Sequence, residues 1–305
     1  MPAPPSGEQF EIVHGEQRAT IVEVGGGIRA YSHGGRDVLE PYPLETICDG
    51  AHGAVLMPWP NRLGDGSYGF DGNHYQLPLD EPAKQNAIHG LLRWVPWRAA
   101  EREADRVVMQ ARIHPRPGYP FDVEASVEYA LSDEGLTVTQ RARNAGGHAC
   151  PYGAGQHPYL SPGSGRIDAC RLELPAEIVI LTDPERQLPC GRAEVDGGPL
   201  DFRAARELGG SEIDSPFTGL VRDWQGRATA RLSAPDGASV ELWVDEAYEV
   251  LEVFTGDTLA PERRRTGLGL EPMTCAPDAF RSGEGLIRLG PGERTAATWG
   301  ARLAA

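Results

Sequence analysis

Two stretches, Val107-Val108-Met109-Gln110-Ala111-Arg112-Ile113 and Val123-Glu124-Ala125-Ser126-Val127-Glu128-Tyr129, decide the fold class. In each, apolar residues recur at every second position. That period puts them on one face of a strand, because successive side chains point to opposite sides of the sheet. The same alternation returns at Ala228, Ala230 and Leu232, and again at Val240, Leu242 and Val244. Asp133-Glu134-Gly135 and Pro235-Asp236-Gly237 carry turn residues between such runs, so antiparallel hairpins are predicted. No strand–helix–strand alternation occurs. The best helical segment is a short one from Asp201 through Leu208, ended by Gly209-Gly210.

Composition agrees with this reading. The 305 residues include 38 Gly and 26 Pro, about a fifth of the chain, which disfavours a helical bundle. With 40% hydrophobic and 24% charged residues the chain can close a sizeable core. We expect an all-β protein, a large antiparallel β-sandwich, with residues 1–8 as a flexible N-terminal tail and residues 9–305 as a single domain. The 29 basic residues against 44 acidic ones give a formal net charge of −15. Such a charge opposes attraction to nucleic acid or an anionic membrane, so neither is an expected partner. The first thirty residues lack a signal-peptide pattern, and no stretch of 18 apolar residues occurs. The five cysteines form no C-x-x-C pair. A reduced, cytoplasmic protein, a monomer or homodimer, is the expectation.

Four segments concentrate residues that could carry chemistry. Trp59-Pro60-Asn61-Arg62 sets an amide and a guanidinium beside aromatic rings, a combination that suits a sugar's hydroxyls and its C–H face. Asn86-Ala87-Ile88-His89-Gly90 and Gly155-Gln156-His157-Pro158-Tyr159 each place a histidine next to glycine or proline, where a ligand can approach the backbone closely. Glu271 closes an apolar run directly before Pro272, and partial burial there would raise its pKa toward general-base range. Taken singly, Arg62, His89 and Glu271 are each more readily structural than functional. His14, His33, His52, His74, His114 and His148 lack metal-ligand spacing and read as surface or loop residues.

In their order and spacing the four segments resemble the aldose 1-epimerases, the galactose mutarotase-like proteins. The resemblance is strongest to a bacterial branch carrying G-A-V-L-x-P-W-P-N-R, N-A-I-H-G, H-P-Y and E-P-M-T-C-x-P-D-A-F blocks, here starting at Gly53, Asn86, His157 and Glu271. It extends from about residue 10 to 303. It implies a β-sandwich with an open sugar cleft and neither metal nor organic cofactor. It also implies that Glu271 is the catalytic base, that His157 is the acid and that His89 hydrogen-bonds near the ring oxygen. Arg62, Asp214, Asn61 and Gln156 would be substrate-binding. A carboxylate beside His157 would help to keep that histidine protonated.

The resemblance also shows departures. Galactose-specific members have Asn where this chain has Gln156, and Gln where it has Met273. Asp214 is followed by Ser215-Pro216 instead of His-Asn. The sugar therefore stays open. The expected activity is interconversion of the α and β anomers of a hexose or related aldose, a small-molecule substrate. Alternatives are an anionic sugar (sulfoquinovose or a sugar phosphate) held by Arg93, Arg98, Arg203 or Arg222, and a non-catalytic carbohydrate-binding protein on the same scaffold. A glycosidase, needing two carboxylates across the scissile bond, would leave the histidine pair unexplained.

Overall fold

The structure is a computed structural model that describes residues 3–163 and 165–304. Almost every regular element is a strand, and two large antiparallel sheets face each other. The two stretches that decided the fold class are neighbours. Val107, Met109, Ala111 and Ile113 lie opposite Tyr129, Val127, Ala125 and Val123. Along Val123–Ser132 burial alternates residue by residue through Leu131, the apolar set turned to the core and Glu124, Ser126 and Glu128 turned away. Fully burying side chains of this size contributes roughly 1.5–3 kcal/mol each, which fixes the register, since a slip by one residue would expose the whole set. Asp133 and Glu134 form the hairpin tip, and Gly135 closes it at a positive φ of 103°.

The nine-stranded sheet runs Arg98–Arg102, Arg106–Ile113, Val123–Ser132, Gly135–Asn144, Arg294–Ala304, Ser239–Val244, Ala228–Ser233, Arg171–Glu173, Arg206–Glu207. The larger sheet begins with Gln9–His14, Gln17–Val22, Ile28–His33 and Arg36–Leu39. It continues through Tyr159–Leu160, Leu268–Met273, Val250–Phe254, Asp214–Leu220, Ala176–Thr182 and Pro189–Glu194, with Gly155–Gln156 and Val55–Leu56 paired beside it. Between the sheets lies one extended core that includes Tyr31, Tyr129, Phe217, Leu251, Leu270 and Trp299.

One expectation is corrected. The segment from Asp201 to Leu208 is not helical. The Asp201 carboxylate accepts from the Gly197 and Arg203 backbone N–H groups, Phe202 and Leu208 are buried, and Arg206–Glu207 extends as an edge strand against Arg171–Glu173. The α-helix among the described residues is the single turn Ala279–Ser282, beside a 3-10 turn at Pro82–Lys84. The expected tail, residues 1–8, is in part packed against the fold. Met1 and Pro2 lie outside the described residues, but Ser6 is buried, its carbonyl accepts from Val24 N–H, and its hydroxyl accepts from Gln9. No helix among the described residues is long and apolar enough to cross a membrane.

Candidate functional site

The outer face of the larger sheet carries a cleft of about 520 Å³. Its floor comes from adjacent strands. In the pair Val250–Phe254 and Leu268–Met273, Glu252 lies directly opposite Glu271, and Asp214 lies opposite Phe254 one strand further on. Every residue of Leu268–Met273 is buried, so Glu271 is a carboxyl group held in a nearly dry wall. His157 occupies the gap between two short strands. Its N–H donates to Ala54 O (3.1 Å) and its C=O accepts from Gly53 N–H (2.8 Å). The His157 ring stacks on Tyr159 (4.9 Å, 11°), whose ring stacks in turn on His52 (3.6 Å, 4°). His52, expected as a surface or loop residue, does lie in a turn but not at the surface. It is buried, and its Nε2 lies 3.0 Å from Glu40 Oε2.

The opposite wall is built by two residues with left-handed backbone, Asn61 (φ 57°) and His89 (φ 61°). The His89 N–H donates to Asn61 O (3.0 Å), and the Asn61 N–H donates to His89 Nδ1 (3.2 Å). Because Nδ1 accepts, the neutral ring carries its proton on Nε2. Arg62 pairs with Ile88 across a short ladder, and its guanidinium grips Glu81 through Nε (3.0 Å) and Nη2 (3.2 Å). Asp214 sits half-buried at the rim and accepts from Gln187.

These walls bring Glu271, His157 and His89 together. His157 Nε2 lies 3.1 Å from Glu271 Oε1, the two histidine rings are 5.6 Å apart, and donor atoms of all three residues lie within 4.8 Å of one another. The same trio has the ligand types of a two-histidine, one-carboxylate cation site, and these are the residues that could hold a metal. Burial, reinforced by the Asp214 charge, pushes Glu271 well above the carboxylate range against the pull of Arg62. Burial likewise drives His157 down to about 3, with the neighbouring His52, Arg93 and Arg62 adding to the effect. His89 is depressed for the same reason, with His157 the next contributor. The expectation that a carboxylate would keep His157 protonated is thus corrected: burial outweighs the partner, and the dyad's proton rests on the carboxyl.

Of the seven residues singled out in the sequence, six line the cleft: Glu271, His157, His89, Arg62, Asp214 and Asn61. Gln156 does not. Strand alternation turns it away from its neighbour His157 and into the sandwich interior. There it donates to Tyr129 OH (2.8 Å) and Gly53 O (3.1 Å) and accepts from Trp299 Nε1 (3.1 Å). Met273 also points away, into a cluster with Ile180, Val250 and Ala276. Sequence reasoning missed Glu252 and Glu81. Glu252 is the lone charge in the apolar run Val250-Leu251-Glu252-Val253-Phe254, a signal that could have exposed it. Of the four arginines considered for an anionic sugar, only Arg93 reaches the cleft, beside the half-exposed ring of Trp94. Arg203 is held by Asp196 and Asp201, and Arg222 by backbone carbonyls. A larger groove of about 900 Å³ lies over the nine-stranded sheet and is rich in arginine, including Arg98. Its Arg112, Arg141 and Arg143 are taken up by Asp122, Glu128 and Glu124.

Known proteins resemble the chain over most of its length. The family model for aldose 1-epimerase matches residues 8–301. The chain is 36% identical to YihR, an uncharacterized protein of Escherichia coli K12, over 94% of this chain and 91% of that one. It is 30% identical to the human galactose mutarotase over 52% of this chain and 46% of that protein. The GalM/aldose epimerase homologue of C. elegans superposes with a TM-score of 0.85 at 18% identity, covering 97% of this chain and 98% of that one. The galactose 1-epimerase of Lactobacillus acidophilus does so at 0.78 and 19%, covering 95% and 92%. At such identities these two structures speak for the fold.

Proposed function

The chain belongs to the aldose 1-epimerase family, and from that premise we propose that it is a mutarotase that interconverts the α and β anomers of an aldose by opening and reclosing the hemiacetal ring. The observation that carries this reading is the 3.1 Å contact between Glu271 Oε1 and His157 Nε2 on the wall of a sugar-sized cleft, with His89 facing the pair. Ring opening removes the proton from the C1 hydroxyl and delivers one to the ring oxygen. The C1–C2 bond then rotates, and closure on the other aldehyde face reverses both transfers. A buried dyad that shares one proton is suited to this exchange, since whichever member takes the hydroxyl proton leaves the other's proton free for the ring oxygen.

In this scheme the dyad's proton passes across the 3.1 Å contact from Glu271 to His157 when the sugar binds, so that Glu271 acts as the base and His157 as the acid. His89 donates from Nε2 toward the ring oxygen, Arg62 binds and orients the sugar from its clasp on Glu81, and Asp214 accepts from ring hydroxyls at the rim. The match over residues 8–301 supports reading residues 9–305 as a single domain. A second reading, an anionic aldose, is favoured by one feature. Arg93 lines the cleft, and its buried Nε has no hydrogen-bond partner among the described residues.

The deciding experiment is polarimetry or NMR exchange on freshly dissolved α-anomers of glucose, galactose, glucose 6-phosphate and sulfoquinovose, with wild type and Glu271→Gln side by side. Acceleration by the wild type alone supports the mutarotase reading and ranks the sugars. Absence of acceleration for every sugar, with binding retained, favours a carbohydrate-binding protein on the same fold.

A further inference from the structure

Asn61 meets four groups at once. Its backbone N–H donates to His89 Nδ1 (3.2 Å), its backbone C=O accepts from His89 N–H (3.0 Å), and its side-chain Oδ1 accepts from Arg62 N–H (2.8 Å). The remaining group, Nδ2, donates to Glu252 Oε2 at 3.1 Å. Asn61 also has a left-handed backbone, which Asn tolerates better than other side chains.

Glu252 is 2% exposed and Asn61 4%. A carboxyl this deeply buried is expensive to ionise unless paired, and the groups facing Glu252 are mostly acidic. Asp214 comes from its own sheet neighbour, Glu271 from the strand paired with it, and Arg62 from the opposite wall. After burial itself, Asp214 and then Glu271 push Glu252 well above the carboxylate range, and Glu252 hydrogen-bonds Asp214. A neutral Glu252 thus accepts from Asn61 and donates to Asp214. It ties together the wall bearing His89 and Arg62 and the rim bearing Asp214.

We infer that Glu252 is a positioning residue: through Asn61 it fixes the His89 ring with Nδ1 as acceptor, so that Nε2–H is presented to the sugar, and it anchors Asp214 from below. This inference rests on the mutarotase reading for its effect on rate, whereas its effect on His89 stands apart from that reading.

The test uses four proteins: wild type, Glu252→Gln, Glu252→Ala and Asn61→Gly. Gln supplies the acceptor for Asn61 and the donor for Asp214 that a neutral Glu supplies. Gly keeps the left-handed turn of Asn61 while removing its side chain. The imidazole ¹⁵N shifts of His89, assigned by difference from His89→Asn, report the tautomer in each. Expected are the Nε2–H tautomer in wild type and Glu252→Gln, and a mixture with Nδ1–H in Glu252→Ala and Asn61→Gly. In those two variants kcat for the best aldose should fall about tenfold or more, beyond any change in KM. An unchanged tautomer in Asn61→Gly and Glu252→Ala overturns the inference. So does an impaired Glu252→Ala beside a normal Asn61→Gly, which would mean that Glu252 acts on Glu271 directly. If Glu252→Ala fails to fold, Asn61→Gly alone decides. If the wild type equilibrates no sugar, the functional reading fails while the tautomer still judges the positioning role.

Discussion

Glu271 Oε1 and His157 Nε2 face each other at 3.1 Å with side-chain exposures of only 3% and 6%. Two titratable groups in such contact and so little water cannot titrate independently; their protons come off as the property of the pair. Burial lifts the carboxyl and lowers the imidazole, so over a wide span of pH the pair holds a single proton. That shared proton is the quantity on which the chemistry of the cleft depends.

Replacing Glu271 by Gln keeps the shape and removes the only member of the dyad able to take the C1 hydroxyl proton as a carboxylate. The rate of anomer exchange should fall by orders of magnitude while circular dichroism and thermal midpoint stay near wild type. His157→Asn should be impaired to a similar degree. Full activity in either variant would remove that residue from the proposed mechanism.

The pH dependence follows from the same pair. Above the raised value of Glu271 the dyad has lost its proton and has nothing to give the ring oxygen, so kcat should decline on the alkaline side. On the acid side the second proton would enter only near His157's value of about 3, so kcat should hold well below pH 6.5. Stability runs the other way. A histidine depressed from 6.5 to about 3 contributes stability that is fully present above 6.5 and is lost as pH falls toward 3. His157→Asn should therefore unfold at lower pH than wild type in an acid titration followed by fluorescence. An unchanged acid midpoint would show that His157 is not buried in its neutral form.

The fold class was legible because the alternation at 107–113 and 123–129 is a direct consequence of strand geometry, and the structure pairs those two runs residue for residue. The clustering of Glu271, His157, His89 and Arg62 followed from the motif blocks. What alternation also implied, but residue-by-residue inspection overlooked, is that Gln156 and His157 must face opposite ways. Glu252, Glu81 and the buried His52 were missed because each is defined by a partner remote in sequence: Asn61 for Glu252, Arg62 for Glu81 and Glu40 for His52. Asp201 misled in the opposite direction, since an Asp before a mixed run suits a helix start and a backbone-binding turn equally.

Gln156 is the sharpest test of that facing rule. Substitution by Ala would strand the Trp299 indole N–H, costing about 1–3 kcal/mol for a buried group left unpaired, and would take one of two partners from the Tyr129 hydroxyl, which still donates to Gly26 O. The thermal midpoint should drop clearly, whereas KM for the sugar should stay within about twofold of wild type. A large rise in KM with an unaltered midpoint would put Gln156 in the cleft after all.

The spacing of His89, His157 and Glu271 invites a cation, and removal of metal settles whether one takes part. Acid–base exchange through the dyad needs none. Exhaustive dialysis against a chelator should leave the exchange rate unchanged, and added Zn²⁺ should inhibit by occupying the imidazole and carboxylate donors. Loss of activity on chelation, restored by a divalent ion, would replace the proposed mechanism with a metal-assisted one.

Arg93 separates the neutral from the anionic substrate. It lines the cleft next to Trp94, its guanidinium 5.1 Å from that ring, and its closest carboxylate partner is Asp80 at 3.4 Å. A guanidinium so weakly engaged, with an orphaned buried Nε, has donors to offer a phosphate or sulfonate, two of whose oxygens its planar fork can meet at once, as a lysine cannot. Arg93→Gln should therefore raise KM for glucose 6-phosphate or sulfoquinovose by about tenfold or more, while glucose and galactose change little, because hydrogen bonds to charged groups contribute about 1.5–3 kcal/mol. Equal losses for charged and neutral sugars would instead assign Arg93 to support of the loop that carries it, and the anionic reading would fall with that result.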